Sequence, residues 1–273
     1  MDTEQRLREN RALWEQLVAE HVHSDFYDVR GFLEGADPLT ELEDNSLGSV
    51  EGQSVLHLMC HFGLDSLALA RRGAAVTGLD FSIEAVRVAR MLAEREALDA
   101  TFVCADVLNA QDAVDGREFD VVFTSWGVTV WLPDVTPWAR VVASCLRPGG
   151  RFHLLEVHPL AWTFLDPEDT DRVSHEPLVA YETAGVTLSQ RVDSSYAGEA
   201  NVMGTQHLWH HGVGRIVSAL AQAGLVLECL VERDVVTTQV LPVLVQREDG
   251  LWTWPDGHPS LPLSYEVVAS KPG

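Results

Sequence analysis

One stretch early in the chain constrains the fold more than any other. An apolar run over residues 53–58 enters a turn that contains Gly63, and a helical pattern follows over 64–72. A second apolar run, 75–80, then ends on Asp80. This order of strand, turn, helix and strand is typical of units that build a parallel sheet, with polar residues at the carboxyl ends of the strands.

The same alternation continues through the middle of the chain. Further apolar runs cover 101–105, 119–124 and 151–157, and helical patterns begin after Ser82 and Asp134. Because each connection is short, the crossovers between parallel strands should be right-handed. The pattern therefore predicts a doubly wound sheet with helices on both faces.

The two ends of the chain add further elements. Residues 3–22 carry apolar side chains at helical spacing, so we expect an amphipathic helix that lies on the body of the protein. Residues 158–206 contain prolines, an acidic run and alternating segments, which favour an insertion of antiparallel strands over the carboxyl edge of the sheet. A helix over 211–223 and strands over 225–232 and 263–269 follow. No helix separates these two strands, so we expect them to be antiparallel.

The predicted fold class is therefore α/β. We expect a doubly wound, mostly parallel seven-stranded sheet with an antiparallel last strand, an N-terminal helical cap and an inserted antiparallel lid after strand five. A length of 273 residues suits one large core with an appendage. We predict a single domain with these parts: an N-terminal helical cap (1–46), a core that binds a cofactor (47–157), a lid insertion (158–206) and the C-terminal part of the core (207–273).

The charge balance argues against two classes of partner. Nineteen basic and forty-one acidic residues give a net charge of −22. Phosphate backbones and anionic lipids are recognised through Lys and Arg, so nucleic acid and membranes are poor partners for this chain. A small-molecule substrate is the expectation that remains, and the sequence predicts no oligomeric state.

Cysteine usage and the amino terminus indicate the compartment. Cys60, Cys104, Cys145 and Cys229 lie far apart and none belongs to a CxxC pair, so we expect reduced thiols rather than disulfides or a zinc site. No signal peptide is visible, and no apolar run is long enough to span a bilayer. We therefore expect a cytoplasmic protein.

The turn after the first strand narrows the choice of nucleotide. A dinucleotide presents a pyrophosphate, which needs a glycine-rich turn so that backbone amides can approach it. Here the turn is Met59-Cys60-His61-Phe62-Gly63, with bulky residues where those glycines would stand. This argues against NAD and FAD. A nucleoside joined to an amino acid rather than to a phosphate tolerates such a turn, and S-adenosylmethionine is the common example.

Four segments together resemble the class I, Rossmann-like S-adenosylmethionine-dependent methyltransferases. They are residues 55–82, Asp106 after the third strand, Ser125-Trp126-Gly127 after the fourth, and Leu146-Arg147-Pro148-Gly149-Gly150 before the fifth. The His-Leu-x-Cys-His turn and the pairs Glu156 with His158 and His210 with His211 resemble a bacterial subgroup that acts on small molecules. The resemblance implies S-adenosyl-L-methionine as cofactor and an enzyme that transfers its methyl group.

The resemblance also implies roles for individual positions. Asp80 would hold the ribose diol, Asp106 would accept from the adenine amino group, and Ser125 would lie beside the sulfonium. The full set of expected cofactor-binding residues is Tyr27, His57, Met59, Cys60, His61, Gly63, Asp80, Phe81, Ser82, Asp106, Val107, Ser125 and Trp126. One departure concerns recognition of the cofactor's amino group, because His57, Met59 and His61 replace the family's usual acid and two of its glycines.

Methyl transfer requires positioning and, for a protonated nucleophile, a base. Histidine suits that task near neutral pH, and we single out His158, which follows strand five, and His211, at the predicted start of a helix. His207, His210 and His211 have no neighbouring carboxylate that would complete a metal site, so we predict no metal. Two other functions stay open: a reaction of the bound cofactor other than methyl transfer, and a non-catalytic binding protein.

Overall fold

A computed structural model describes residues 2–166, 169–174, 176–198 and 202–273. The helices are α1 (Thr3–His21), α2 (Val29–Leu33), α3 (Glu41–Leu47), α4 (Leu64–Arg71), α5 (Ile83–Glu96), α6 (Ala110–Ala113), α7 (Val135–Cys145), α8 (Pro159–Thr163) and α9 (Val213–Gln222). The strands are β1 (Ser54–Leu58), β2 (Ala75–Asp80), β3 (Ala100–Cys104), β4 (Phe119–Ser125), β5 (Leu146–Val157), β6 (Leu165–Asp166), β7 (Asp169–Val173), β8 (Leu188–Val192), β9 (Gly204–Leu208), β10 (Val226–Arg233), β11 (Val235–Val236), β12 (Val245–Gln246), β13 (Trp252–Thr253) and β14 (Ser264–Ser270).

Seven of these strands form one central sheet in the order β10-β14-β5-β4-β1-β2-β3. The five strands β1 to β5 run parallel, whereas β14 is antiparallel to both of its neighbours, β5 and β10. The predicted seven-stranded sheet with a reversed last strand is therefore confirmed. The order of connection reverses between β1 and β4, and ligands of doubly wound sheets bind at such a switch point.

Apolar side chains on both faces of the sheet hold it between the helices. Leu56 and Leu58 on β1 are fully buried, as a central parallel strand requires. On one face Trp138 of α7 meets Phe152 of β5 edge to face, with ring centroids 5.5 Å apart. Helices α4 and α5 cover the opposite face, where Phe62, Leu67 and Phe102 share a second cluster.

The cap and the insertion meet each other, because α1 packs against β9. The side chain of Asn10 donates to the carbonyl of His207 at 2.7 Å and accepts from its N–H at 2.8 Å, as a paired strand would. Leu13 and Leu17 lie in the same contact with Val202. The insertion contains the antiparallel pairs β6–β7 and β8–β9, which confirms its predicted architecture. Residues 167, 168, 175 and 199–201 of the insertion lie outside the described residues.

Two boundaries and one additional sheet differ from the prediction. Helix α9 begins at Val213 with Gly212 as its N-cap, so His211 precedes the helix instead of opening it. Strand β5 begins at Leu146, before the predicted turn, because Arg151 onward and Leu146 both pair with β4 across an irregular step. Between β10 and β14 the chain also forms a small sheet, β11-β13-β12, that no alternation in the sequence indicated. Along the described ranges, every helix is too short or too polar to cross a bilayer.

Candidate functional site

The turn after β1 has a glycine-like backbone built from residues other than glycine. Met59 and His61 have φ values of 59° and 53°, and Gly63 follows with 78°. A side chain in this left-handed region costs about 1–2 kcal/mol, which is why such positions favour glycine. Non-glycine residues persist there only where the surroundings hold them, and such strain clusters at functional sites.

Asp80, at the end of β2, holds this turn in place. Its Oδ2 accepts the N–H of His61 at 2.8 Å, and its Oδ1 accepts the N–H of Ser82 at 2.9 Å. Two other amides of the turn are also used inside the protein, since Cys60 N–H donates to the Leu79 carbonyl and Gly63 N–H to the Cys60 carbonyl. The turn therefore offers few amides to a pyrophosphate, as its bulky side chains predicted.

The carboxyl of Asp80 is buried, with 8% of the residue exposed. Burial raises its pKa to about 6 against the opposing effect of the backbone hydrogen bonds from Ser82 and His61. Each carboxylate oxygen accepts one amide and keeps a second lone pair. Hydroxyl groups such as a ribose diol are suitable donors to these remaining positions.

On the other side of β1, at the end of β4, four side chains form a chain of hydrogen bonds. Ser66 Oγ lies 2.9 Å from His57 Nδ1, and His57 Nε2 lies 3.4 Å from Ser125 Oγ. Ser125 Oγ in turn donates to Oδ2 of Asp65 at 3.2 Å. Burial lowers the pKa of His57 to about 3, so its imidazole is neutral. The histidine that replaces the family's acid therefore carries no charge.

Two buried glutamates fix the loop that follows β4. Glu43 on α3 accepts the indole N–H of Trp126, a residue whose φ of 45° is again left-handed. Glu156 on β5 accepts the backbone N–H groups of Gly127 and of Val128 and Thr129, the last two at 2.9 Å. The predicted segment Ser125-Trp126-Gly127 is thus rigidly placed beside the turn.

The N-terminal cap closes over the turn through ring contacts and hydrogen bonds. His21 Nδ1 lies 3.0 Å from His61 Nε2, and its Nε2 lies 2.8 Å from Ser195 Oγ in the insertion. The hydroxyls of Tyr27 and Tyr196 lie 2.5 Å apart. We call these five residues the latch cluster. The cap, the turn and the insertion therefore meet at one place above the carboxyl edge of the sheet.

The cap also reaches the helix after β2. Glu15 on α1 accepts Ser82 Oγ at 2.9 Å and the N–H groups of Ile83 and Glu84 at 2.8 and 3.1 Å. Ser82 itself caps α5 by accepting the N–H of Ala85, as expected. A carboxylate at a helix N-terminus is favourable, so Glu15 fastens α1 beside Asp80.

The residues expected around an adenine lie at the end of β3 and beyond β2. Phe81 is half-buried directly after Asp80, and Val107 is buried in the main core with Leu79. Asp106 is exposed and accepts the N–H of Leu108 at 2.8 Å, which leaves its other oxygen for an outside donor. Phe81 and Asp106 are therefore more accessible to a ligand than Val107.

The two candidate bases differ in which ring nitrogens are free. His158 uses both, because Nδ1 accepts the N–H of Leu160 and Nε2 lies 2.8 Å from Glu232. His211 donates Nε2–H to the Leu132 carbonyl at 2.7 Å, which makes Nδ1 the acceptor nitrogen. Burial lowers the pKa of both histidines. For His211, burial rather than a helix terminus is the main cause.

The charge of the site suits a cationic cofactor. Among the described residues, no Lys or Arg forms an ion pair with Asp65, Asp80, Glu43 or Glu156. S-adenosylmethionine carries a sulfonium and an ammonium, so it brings positive charge to a site rich in carboxylates. The ranges that the structure describes contain no group of three or more His, Cys, Asp or Glu side chains arranged for a metal ion.

Sequence reasoning missed several of the residues that build this site. Glu15, Glu43, Asp65 and Tyr196 lie outside the motifs and come together only through tertiary packing. The one available signal was Asp65 two residues after Gly63, but acids are common in the first turn of any helix. Its approach to Ser125 depends on the pairing of β1 with β4.

Comparison with known proteins shows which proteins this chain resembles. Residues 55–150 match the model of a methyltransferase domain. The chain is 29% identical over 158 residues to the ubiquinone biosynthesis O-methyltransferase of Escherichia coli and 34% identical over 104 residues to that of Coxiella burnetii. These matches cover 55% and 38% of this chain but only 64% and 43% of the relatives, less than two thirds of their lengths.

Solved structures share the fold across almost the whole chain. An S-adenosylmethionine-dependent methyltransferase from Mesorhizobium loti aligns with a TM-score of 0.58 and 22% identity, over 88% of this chain and 100% of its own. The CcbJ methyltransferase from Streptomyces caelestis aligns with a TM-score of 0.61 and 17% identity, over 95% and 99%. The sheet order and these likenesses show that the chain has the fold of these methyltransferases, and within it residues 55–150 match a methyltransferase domain.

Proposed function

We propose that this protein transfers a methyl group from S-adenosylmethionine to a small-molecule acceptor. The observation that carries the proposal is the turn over residues 59–63, in which the amides of Cys60, His61 and Gly63 bond to Asp80 and to neighbouring carbonyls instead of facing outward. Unpaired carboxyls on both sides of β1 favour a cationic nucleoside over an anionic dinucleotide. This proposal takes the matched domain as its starting point and extends it to the activity of the whole chain.

The residues around the end of β1 divide the cofactor's parts among them. We assign the ribose to Asp80, the adenine to Phe81 and Asp106, and the methionine end to the turn and Ser125. The bound sulfonium supplies an activated methyl group. Tyr27, His57, Ser82, Val107 and Trp126 complete the expected set as the neighbours that position these contacts.

The cap and insertion would serve to orient the acceptor and to exclude water. The latch cluster joins α1, the turn and the insertion, so an acceptor between them would meet the cofactor in a fixed direction. Exclusion of water strengthens the electrostatic interactions within such a site. The protein's contribution to rate would then be positioning more than chemistry.

A protonated nucleophile also needs a base, and His211 is the better of the two candidates. Its Nε2–H bond to the Leu132 carbonyl fixes the tautomer with an acceptor at Nδ1, and its lowered pKa keeps the ring neutral. Both nitrogens of His158 are engaged, so His158 would act by holding α8 and β10 together.

An oxygen nucleophile on a small molecule is the acceptor class we propose. The relatives in Escherichia coli and Coxiella burnetii are named O-methyltransferases of ubiquinone biosynthesis, and a net charge of −22 disfavours nucleic acid. Trp131 packs edge to face on Trp14 beside the latch cluster, which would suit an acceptor with an apolar ring.

The proposal is tested by following both products of the reaction. The protein is incubated with S-adenosylmethionine and a panel of small hydroxylated aromatic compounds, and S-adenosylhomocysteine and acceptor mass are measured together. Methyl transfer gives the two products in equal amounts. Cofactor consumption without S-adenosylhomocysteine would point to another reaction, and failure to bind either form of the cofactor would point to a different role altogether.

A further inference from the structure

Asp65 occupies a special position relative to the sheet. It lies in the first turn of α4, two residues after Gly63, and its carboxylate accepts the hydroxyl of Ser125 at 3.2 Å. In the sheet β1 lies between β4 and β2, so Ser125 and Asp80 end the strands on its two sides. Asp65 and Asp80 are therefore two carboxyls that flank the end of β1 at the same edge.

The carboxyl of Asp65 has no cationic partner among the described residues. No Lys, Arg or His in those ranges forms an ion pair with it, and the side chain that bonds to it, Ser125, offers a neutral hydroxyl. Burial, with a further contribution from nearby Glu43, raises its pKa to about 7. Asp65 is half-buried, and a carboxylate that is largely withdrawn from water without a counter-charge is costly, so this position favours a positively charged ligand.

The residue expected to supply a negative charge at this end of the turn does not supply one. His57 is neutral, and its two nitrogens contact Ser66 and Ser125. Ser125 links His57 to Asp65, so the carboxyl that the strand lacks is provided by the first turn of the helix, one hydroxyl away. The negative charge therefore lies in the first turn of α4 instead of on β1.

From this arrangement we infer that Asp65 binds the ammonium group of the cofactor's methionine moiety, with Ser125 as the positioning residue that aims its carboxylate. The inference rests on the proposed function, because it takes S-adenosylmethionine as the ligand. A ligand that extends across the end of β1 would place its ribose at Asp80 and its ammonium at Asp65. The role lost at His57 would then be kept by a residue outside the strand.

The test compares two ligands on two proteins by titration calorimetry. The probes are S-adenosylhomocysteine and its deaminated analogue, which keeps the carboxylate and lacks the amino group. The variant is Asp65→Asn, which preserves shape and removes charge, and the matched control is Asp112→Asn, an exposed acid in the first turn of α6. Asp65→Asn should raise the Kd of S-adenosylhomocysteine about 10- to 100-fold. The Kd of the deaminated analogue should change less than about twofold, and Asp112→Asn should alter neither.

A second measurement needs no variant. If an ammonium binds beside a carboxyl that is partly protonated near neutral pH, wild-type protein should release protons on binding S-adenosylhomocysteine at pH 6.5, as read from heats in buffers of different ionisation enthalpy. The deaminated analogue should release none from this group. If Asp65→Asn loses the same affinity for both ligands, or loses affinity for neither, the inference is overturned while the proposed function stays intact. If wild-type protein binds neither ligand, the proposed function itself fails.

Discussion

The carboxylate of Asp80, at the end of β2, accepts the backbone N–H of His61 at 2.8 Å. His61 lies in the turn that follows the neighbouring strand, β1. This bond explains how a turn with Met59 and His61 at left-handed φ values is held without the usual glycines. It also consumes an amide that a phosphate would need. The same carboxyl therefore stabilises the turn and selects against a dinucleotide.

Asp80→Asn should weaken cofactor binding strongly. The amide side chain keeps one acceptor oxygen but loses the charge that strengthens hydrogen bonds from ribose hydroxyls, and such bonds contribute about 1.5–3 kcal/mol. We expect the Kd of S-adenosylhomocysteine to rise at least about tenfold by calorimetry. The control Asp112→Asn should bind as wild type. An unchanged Kd in Asp80→Asn would show that Asp80 does not bind the ribose.

The strain at His61 gives a prediction about stability. His61→Gly and His61→Ala both lose the ring contacts with His21, but only alanine retains a side chain at φ 53°. His61→Gly should therefore be more stable than His61→Ala by about 1 kcal/mol in denaturant unfolding. At Arg87, exposed within α5, the same pair of substitutions should rank in the opposite order. The ranking expected at Arg87, if found at His61, would mean that the turn is not strained.

The carboxyl of Asp65 makes stability depend on pH. Its pKa is about 7 in the folded protein and about 4 in an unfolded chain, so between these values the folded state holds a proton that the unfolded state has released. Its contribution to the free energy of unfolding thus falls as pH rises from 4 to 7. Asp65→Asn removes this loss, and the variant should exceed wild type in stability at pH 8 but not at pH 4.5. A difference that is the same at both pH values would show that the pKa of Asp65 is not raised in the folded protein.

The bond between Tyr27 and Tyr196 should act as a closure between the cap and the insertion. Tyr196 is 59% exposed, and its ring meets those of His21 and Phe26 edge to face. A change to phenylalanine keeps these ring contacts, so it isolates the hydroxyl bond. Tyr27→Phe should speed dissociation of S-adenosylhomocysteine about 3- to 10-fold in stopped-flow measurements. Tyr196→Phe should do the same, and the double variant no more than either, since both remove one bond. If the effects of the two single variants on the dissociation rate add in the double variant, the two hydroxyls act independently and do not share one bond.

The two histidines should respond differently to substitution. His211→Gln should lower kcat about 100-fold or more and alter the acid limb of its pH profile, because a general base contributes roughly that factor. His158→Gln should chiefly lower stability, since it breaks the contact with Glu232 and the cap of α8. If only His158→Gln loses kcat and its fold is intact, His158 rather than His211 is the base.

The sheet followed from the sequence because local patterns determine it. Apolar runs that end on Asp80 or Ser125 and helices that begin at Ser82 or Asp134 are visible residue by residue, and all of these elements form. What the sequence did not predict depends on packing between distant segments. Glu15 reaches α5 only because α1 docks there, and Asp65 reaches Ser125 only because β1 pairs with β4.

The role of His211 shows the same limit at shorter range. The predicted helix began at this residue, whereas Gly212 caps a helix that starts at Val213. Element boundaries depend on which nearby residue satisfies the free amides, and several neighbours could do so. The pKa of His211 is lowered mainly by burial, which the sequence alone does not reveal.

Whether the turn after β1 binds S-adenosylmethionine rather than a dinucleotide is tested by calorimetric titration. The wild-type protein is titrated with S-adenosylhomocysteine and, separately, with NAD. We expect saturable binding of S-adenosylhomocysteine at one site per chain and no binding of NAD at the same concentrations. Binding of NAD without binding of S-adenosylhomocysteine would contradict it, because a turn whose amides are bonded to Asp80 and its neighbours would then be accommodating a pyrophosphate.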